Sequence, residues 1–495
     1  MRVGLLFPDR DLDLAHPFPF GWEDVEPDLG LGDVYRAMAG EDGYLLEVVR
    51  KVLAQGLTSQ AATVLHRQEA VREALERPDL VEALYTLAGE TLAAKRRESY
   101  GLFRRDRPDL YGAIKAMEAL LKGLRALLAL LQRTPLTSPP FQALEARLEA
   151  VLTPAFFRQA EAHLEALRFP KGVWMAAGLS REGRSQGYTL LPPEERRAWW
   201  PFGKRPRTYV LTLHPRDEAG ARILGEIREK GILEAAKALA TAVEEVARFF
   251  ESLRAEAGFL LGAARLAGRL KALGLPLAFP TPAEGLRLAF RGLYDVGLAL
   301  RQGMAVGNDL EAHGRNPIFI TGANRGGKTT FLRSPGLAQL FLQAGLFVGA
   351  ERFESGLVDG LFTHFKREED RALEAGKFEE ELRRLDGLVA HLTSKPLFLF
   401  NESFFNESFA ATSELEGSEL GAQVVRVLVE AGVRVVFVTH FYTLAATFLG
   451  DERTLFLKAE RLPDGRRTYR LRPEPPEPTA YAQDLLRQVF GEEAG

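Results

Sequence analysis

The chain has 495 residues, with 64 Lys and Arg against 67 Asp and Glu, so its net charge of −3 excludes a polycation and confines any nucleic-acid surface to a local patch. It has no Cys, which excludes disulfides, thiol catalysis and Cys-ligated metals, and its eight His are scattered without metal-site spacing. Apolar residues at 46% and charged residues at 26% describe a globular protein of roughly two to four domains.

The opening MRVGLLFPDRDLD turns acidic after a few apolar residues, so a secretory signal is not expected. The longest apolar runs, such as Ala126 to Leu131, are too short to cross a bilayer. The cytoplasm is therefore the expected location, with no membrane partner. From about Asp33 to Leu270 apolar residues recur at helical steps, as in LYGAIKAMEALLKGLRALLALLQ and ILEAAKALATAVEEVARFF. TPLTSPP at 134–140 breaks the pattern. Strand-like pieces, Pro pairs and basic runs over 169–220 predict a small β-containing insertion. Composition shifts again at LGLPLAFPTPAEG, and the main boundary is expected near residue 280, giving a helical region 1–280 and a second domain 281–495. In the second domain NPIFITG, LFVGA, KPLFLF and VRVVFVTH read as short strands alternating with helices. That alternation predicts an α/β domain with a parallel-rich sheet covered on both faces.

PIFITGANRGGKTTF contains Gly322-x-x-x-x-Gly327-Lys328-Thr329 between an apolar strand and a helical pattern, the context of a Walker A phosphate loop. Backbone amides of Gly322, Ala323, Asn324, Arg325, Gly326 and Gly327 can turn toward phosphate oxygens, and the following helix directs its positive end at them. Lys328 is expected on the β and γ phosphates, Thr329 on Mg²⁺, and Thr330 beside them. The expected ligands are ATP and Mg²⁺.

A phosphate-loop enzyme needs an acid at the end of a neighbouring strand. KPLFLF runs into FNESFFNESF, one five-residue unit written twice from Phe400 to Phe409. Asn401 stands where a Mg²⁺-holding Asp is common; its amide oxygen accepts a hydrogen bond but brings no charge. Glu402 is the preferred general base, because LFLF must end where the acid begins, and Glu407 in the second copy is the alternative. VRVVFVTH delivers His440 at a strand end, where it can sense or polarise a γ-phosphate.

These motifs, in this order, resemble the ATPase domain of the MutS mismatch-repair family. The family's TGPNMGGKST is TGANRGGKTT here, Thr321 to Thr330, and its V-P-N-D-L is VGNDL, Val306 to Leu310. Its A-T-H-Y/F is Val438-Thr439-His440-Phe441, and its R-Q-D/E-A-V core stretch is matched by HRQEAV, His66 to Val71. The resemblance covers about 300–445 strongly and the helical core from Leu57 to Pro280 more weakly. It implies a P-loop NTPase domain of the MutS/ABC type behind a helical lever and core. It also implies Asn308 near the adenine, and a homodimer whose ATP sites are composite, with Ser413 reaching the partner's γ-phosphate. The family's D-E-I-G-R-G-T-S-T-x-D-G is altered. Counted back from Gly417 it falls on NESFAATSELEG from Asn406; counted from the strand, Asn401-Glu402 takes the D-E place. The difference is one FNESF unit, which reads as an insertion between catalytic acid and signature segment. Phe409-Ala410-Ala411 replaces the G-R-G glycines. The Phe-x-Glu wedge of mismatch readers does not open this chain and no Smr-type nuclease segment closes it, so DNA repair or recombination without direct mismatch reading is expected.

Two stretches mix basic and aromatic residues, KRRESYGLFRRDR (95–107) and ERRAWWPFGKRPR (195–207). Either can grip phosphates; the blander alternatives are a solvated helix face for the first and an insertion loop for the second. Two other functions stay open: a nucleotide-gated scaffold with little hydrolysis, and an ATPase acting on an unknown protein partner.

Overall fold

In the computed structural model, the structure describes residues 2–57, 60–99, 103–104, 107–170, 172–173, 175–179, 181, 185–190, 218–322, 326–365, 377–401, 414–462 and 466–478. The first half is helical: α1 (Trp22–Asp28), α2 (Leu31–Ala39), α3 (Gly43–Gln55), α4 (Ala61–Glu76) and α5 (Pro78–Ser99). A short antiparallel pair follows, β1 (Phe103–Arg104) and β2 (Arg107–Pro108), then α6 (Leu110–Arg133), α7 (Pro139–Val151) and α8 (Pro154–Ala166). Next come a second antiparallel pair, β3 (Met175–Leu179) and β4 (Ser185–Leu190), and the long helix α9 (Glu218–Ala272). The second half is α/β: β5 (Thr281–Ala283), β6 (Leu288–Leu293), α10 (Val296–Gln302), β7 (Asn308–Glu311), β8 (Ile318–Thr321), α11 (Lys328–Ala344), β9 (Arg352–Gly356) and β10 (Gly360–Phe365). It ends with α12 (Lys377–Ala390), β11 (Pro396–Asn401), α13 (Glu414–Glu430), β12 (Arg434–Val438), α14 (Tyr442–Ala446), β13 (Leu455–Arg461) and β14 (Arg467–Arg472).

Packing divides the chain into two compact units. One holds residues 1–3, 83–136 and 142–254; the other holds 4–82, 137–141 and 255–495. In the first unit the apolar stripe of α6, including Ile114, Leu120, Leu124, Leu127 and Leu131, is buried, as its helical spacing requires. Asp109 caps the helix by accepting from the amides of Tyr111 and Gly112. Gly123 lets α6 close on Thr91 of α5 and Phe250 of α9, whose side chains occupy the space a Cβ would need.

The second unit carries a six-stranded sheet in the order β10-β11-β12-β8-β13-β14, with every pair parallel except β13–β14. The interior strands are buried end to end, Pro396 to Phe400 and Arg434 to Val438, as parallel strands covered on both faces must be. Phe398, Phe400 and Phe437 form an aromatic stack along the middle of this sheet, at centroid distances of 4.2 and 5.0 Å. A smaller mixed sheet, β5-β9-β6-β7, lies in the same unit. LFVGA, expected as a strand, makes only an isolated bridge from Val348 to Ala278, and pairing begins after it at Arg352.

The helices α1 to α4 belong to this second unit, and Arg67 of α4 shows how they are fixed there. Fully buried, it donates to Leu6 O, Gly56 O and Gln343 O, the last a carbonyl in the final turn of α11. Beside it α11 ends at Gly345, whose φ of 80° and close approach to the Arg67 backbone admit no side chain. Burial pushes the Arg67 guanidinium down to about 10, the direction expected when charge is moved out of water.

Candidate functional site

Strand β8 is buried throughout and ends at Thr321, whose hydroxyl is 3.4 Å from Leu457 O on β13. The chain then turns at Gly322, with φ of 112° and β13 so close that a Cβ would lie 2.9 Å from Ala459 N. Only glycine fits both conditions. Gly327, in the left-handed region at φ 87°, caps α11, and its carbonyl accepts from Phe331 N at 2.8 Å. Helix α11 therefore opens with backbone amides and the positive end of its dipole at this sheet edge.

Three side chains converge there. Lys328 is buried and its ammonium donates to Gly322 O at 3.0 Å, tying the start of α11 to the residue that follows β8. Thr329 donates its hydroxyl to Oδ1 of Asn401 at 3.1 Å. Asn401 is the last residue of β11, in register with Val438 of β12 and Phe365 of β10. Thr330 accepts at its carbonyl from Ser334 Oγ, one turn along α11. His440 follows β12 at the same end of the sheet: its neighbour Thr439 donates its amide to Ile320 O of β8 at 3.0 Å. The His440 ring is exposed, 4.9 Å from that of Phe441.

Asn308 lies at the start of β7, and both ends of its amide hold β14. Oδ1 accepts from Leu471 N at 2.8 Å and Nδ2 donates to Tyr469 O at 3.2 Å. Between those two bonds Tyr469 takes φ of 59°, a left-handed conformation uncommon for an aromatic residue. Its half-exposed side chain lies against Gly327, with Cδ1 3.4 Å from where a Cβ there would stand. Tyr469 thus lies against Gly327, and the sequence did not single it out. In the sequence no motif spacing ties Tyr469 to Gly327.

Gly322, Gly326, Gly327, Lys328, Thr329, Thr330, Asn401 and His440 come together at one end of the sheet, with Asn308 joined to Gly327 through Tyr469. The expectations on Ala323, Asn324, Arg325, Glu402, Glu407 and Ser413, and on the basic stretch 195–207, fall outside the described residues. Among the described residues no helix is long and apolar enough to cross a membrane, and no three His, Asp or Glu side chains cluster to hold a metal ion.

Two family models match the chain: the MutS2 N-terminal domain over residues 59–273, and MutS domain V over 318–458. The DNA mismatch repair protein MutS of Thermus aquaticus is 28% identical over 427 residues, 79% of this chain and 50% of that protein. The DNA mismatch repair proteins MutS of Chloroflexus aurantiacus and Desulforamulus reducens are 33% and 35% identical over 146 and 128 residues, 28% and 26% of this chain and 15% and 14% of theirs. The chain spans about half the length of the Thermus relative. One model falls on the helices and the other on the sheet and helix that carry Asn401 and Thr329, and with similarity running over most of its length the chain is a MutS-like protein.

Proposed function

We propose that the chain is a cytoplasmic MutS-like ATPase that binds Mg²⁺-ATP at the opening of α11 and hydrolyses it, slowly, to change the conformation of a homodimer. The sheet order around β8 supports a P-loop NTPase fold of the MutS/ABC type. The setting is a DNA transaction, repair or recombination, without direct mismatch reading; the MutS relatives support the DNA partner. The observation that carries the reading is the Thr329–Asn401 hydrogen bond at 3.1 Å, directly beside the buried Lys328 and the helix N-terminus.

The residues present fit the ligand. Lys328, Gly327 and the first amides of α11 offer positive charge and donors to a polyphosphate. Thr329 and Asn401 offer two neutral oxygens to a Mg²⁺ whose charge the phosphates themselves balance. Bound Mg²⁺ would neutralise charge on the phosphate oxygens. Glu402, which follows the last residue of β11, is the assigned base that orients the attacking water, with Glu407 as the alternative. His440 stands by for the γ-phosphate, and Ser413 contributes to the partner subunit's site.

Steady-state ATPase assays on the wild type, Lys328→Ala, Glu402→Gln and Glu407→Gln test this. Turnover abolished in Lys328→Ala and Glu402→Gln is the expected result. A wild-type rate no higher than that of Lys328→Ala ends the enzyme reading, and loss confined to Glu407→Gln moves the base. The neutral Asn401 favours one second reading, a scaffold that is gated by nucleotide and barely hydrolyses it. Binding of ATP with full affinity at negligible turnover would establish that reading instead. Absence of low-salt DNA binding, with or without ATP, would leave a protein partner as the target.

A further inference from the structure

Between α5 and α9, inside the helical unit, an open groove of about 530 Å³ is lined by Gly89, Leu92, Ala93, Arg96, Arg97 and Arg254. Gly89 and Ala93 stand one turn apart on the same face of α5 and give the groove a floor of small residues. The Arg254 side chain lies across α5 at Gly89, with Nε 3.4 Å from where a Cβ would stand, an ordinary contact distance. Tyr85 holds this guanidinium, with its ring at 5.2 Å and its hydroxyl accepting from Nη2 at 3.4 Å. Arg96 and Arg97 are exposed two turns further on. Among the described residues neither forms an ion pair, whereas the adjacent Lys95 is committed to Glu244 at 2.6 Å.

The spread of these groups decides the ligand. Gly89 and Arg96 are separated by roughly 10 Å along the helix at about 1.5 Å per residue. Guanidiniums strung out in this way do not converge on one anion, but they match charges repeated along a chain of phosphates. Among the described residues the groove lining holds no aromatic ring, and the neighbouring Tyr85 ring is covered by Arg254, so they offer no stacking platform to unpaired bases. We infer that this groove seats the phosphodiester backbone of duplex DNA. The inference rests on the DNA reading proposed above and gives it a location.

The test uses the full chain and a labelled duplex, titrated over a range of salt concentrations. Arg96→Gln/Arg97→Gln is expected to weaken binding about ten-fold at low salt and to flatten the slope of log affinity against log salt by about two. Arg96→Lys/Arg97→Lys, which keeps the charge, should retain the slope, and both variants should keep the wild-type ATPase rate. Arg133→Gln/Arg158→Gln, the same charge change elsewhere in the unit, should leave the slope unaltered. An equal loss in that control means general attraction and overturns the groove. So does a groove variant that binds duplex like the wild type, or one that loses only single-stranded DNA. Wild type that binds no DNA at all sinks the DNA reading itself, a different failure from a variant that makes no difference.

Discussion

The hydroxyl of Thr329 and the amide oxygen of Asn401 meet at 3.1 Å, joining the first turn of α11 to the last residue of β11. An Asp in this place would bring a full negative charge to the same contact; Asn brings only a dipole. Asn401→Asp is therefore expected to tighten Mg²⁺ on the nucleotide complex by about ten-fold, within the range seen when metal-site partners are altered. Asn401→Leu, which leaves Thr329 without this acceptor, should weaken it by a similar factor. The Mg²⁺ concentration for half-maximal ATPase activity measures both, and an unchanged value in Asn401→Asp would remove Asn401 from the metal site.

Gly322 is confined twice, by φ of 112° and by the backbone of Ala459. An added methyl group would force the end of β8 away from β13. Gly322→Ala should lower ATP affinity by more than about ten-fold and destabilise the fold by about 1–3 kcal/mol. Gly314 also has a positive φ, but nothing lies within 4 Å of a Cβ there. Gly314→Ala should cost about 1 kcal/mol through backbone strain alone and leave ATP affinity intact. Equilibrium ATP titration together with urea unfolding separates the two effects.

The parts of this fold that were legible are those whose pattern is local. The apolar run before Gly322 marks β8, LFLF and VRVVFV mark β11 and β12, and the three- and four-residue recurrences mark α6 and α9. The smaller sheet was not legible. Its strands are short, and β5 finds its partner only after the whole of α11, Thr281 pairing with Glu354. Nor does a helical pattern reveal that residues 4–82 pack with the α/β half, because the bonds that fix them there, such as Arg67 to Gln343 O, Arg333 to Asp28 O and Arg384 to Asp24, join residues far apart in sequence. The same holds at the site. Lys328 and Thr329 stand in a motif with fixed spacing and Asn401 closes the apolar run LFLF, whereas Tyr469 reaches Gly327 where Asn308, far off in sequence, holds β14 in place.

Glu26 joins three helices of the second unit. It accepts from Arg50 Nε and Nη2, both at 2.7 Å, and from the Tyr35 hydroxyl at 2.9 Å. Partial burial pushes its carboxyl up, but the hydrogen bonds from Arg50 and Tyr35 and the Arg50 charge outweigh that and hold it below the ordinary carboxylate range. A lowered folded value means that the unfolded chain takes up the proton first. The stabilisation is complete above the unfolded value of about 4.3 and is lost as pH falls through the folded one. Glu26→Gln should cost about 1–2 kcal/mol at neutral pH, and the gap from wild type should close as the solution is acidified below about pH 4. Urea midpoints measured across that range test the sign; a gap that widened in acid would refute it.

A buried polar chain runs from α11 to β12. Gln339 donates to Gln343 Oε1 and to Gly356 O, Ser355 Oγ donates to Gln339 Oε1, and Arg434 donates to Ser355 Oγ at 2.9 Å and to Gly285 O at 3.0 Å. Gln343 closes the chain by donating to Val358 O and accepting from Val358 N. The Arg434 guanidinium faces only neutral groups in these bonds, and burial pushes it down to about 10. In such a chain each member satisfies its neighbour, so removing one strands the next. Gln343→Leu leaves both backbone groups of Val358 without their partner and should cost about 2–5 kcal/mol. Arg434→Met removes a charge from the interior but strands the carbonyl of Gly285, and should cost less, about 1–3 kcal/mol. Because Ser355 joins their networks, Gln339→Leu and Arg434→Met should not add: a double-mutant cycle in urea is expected to return a coupling of about 0.5–3 kcal/mol. Strict additivity would mean that α11 and β12 are held by their apolar packing alone and that the polar chain transmits nothing between them.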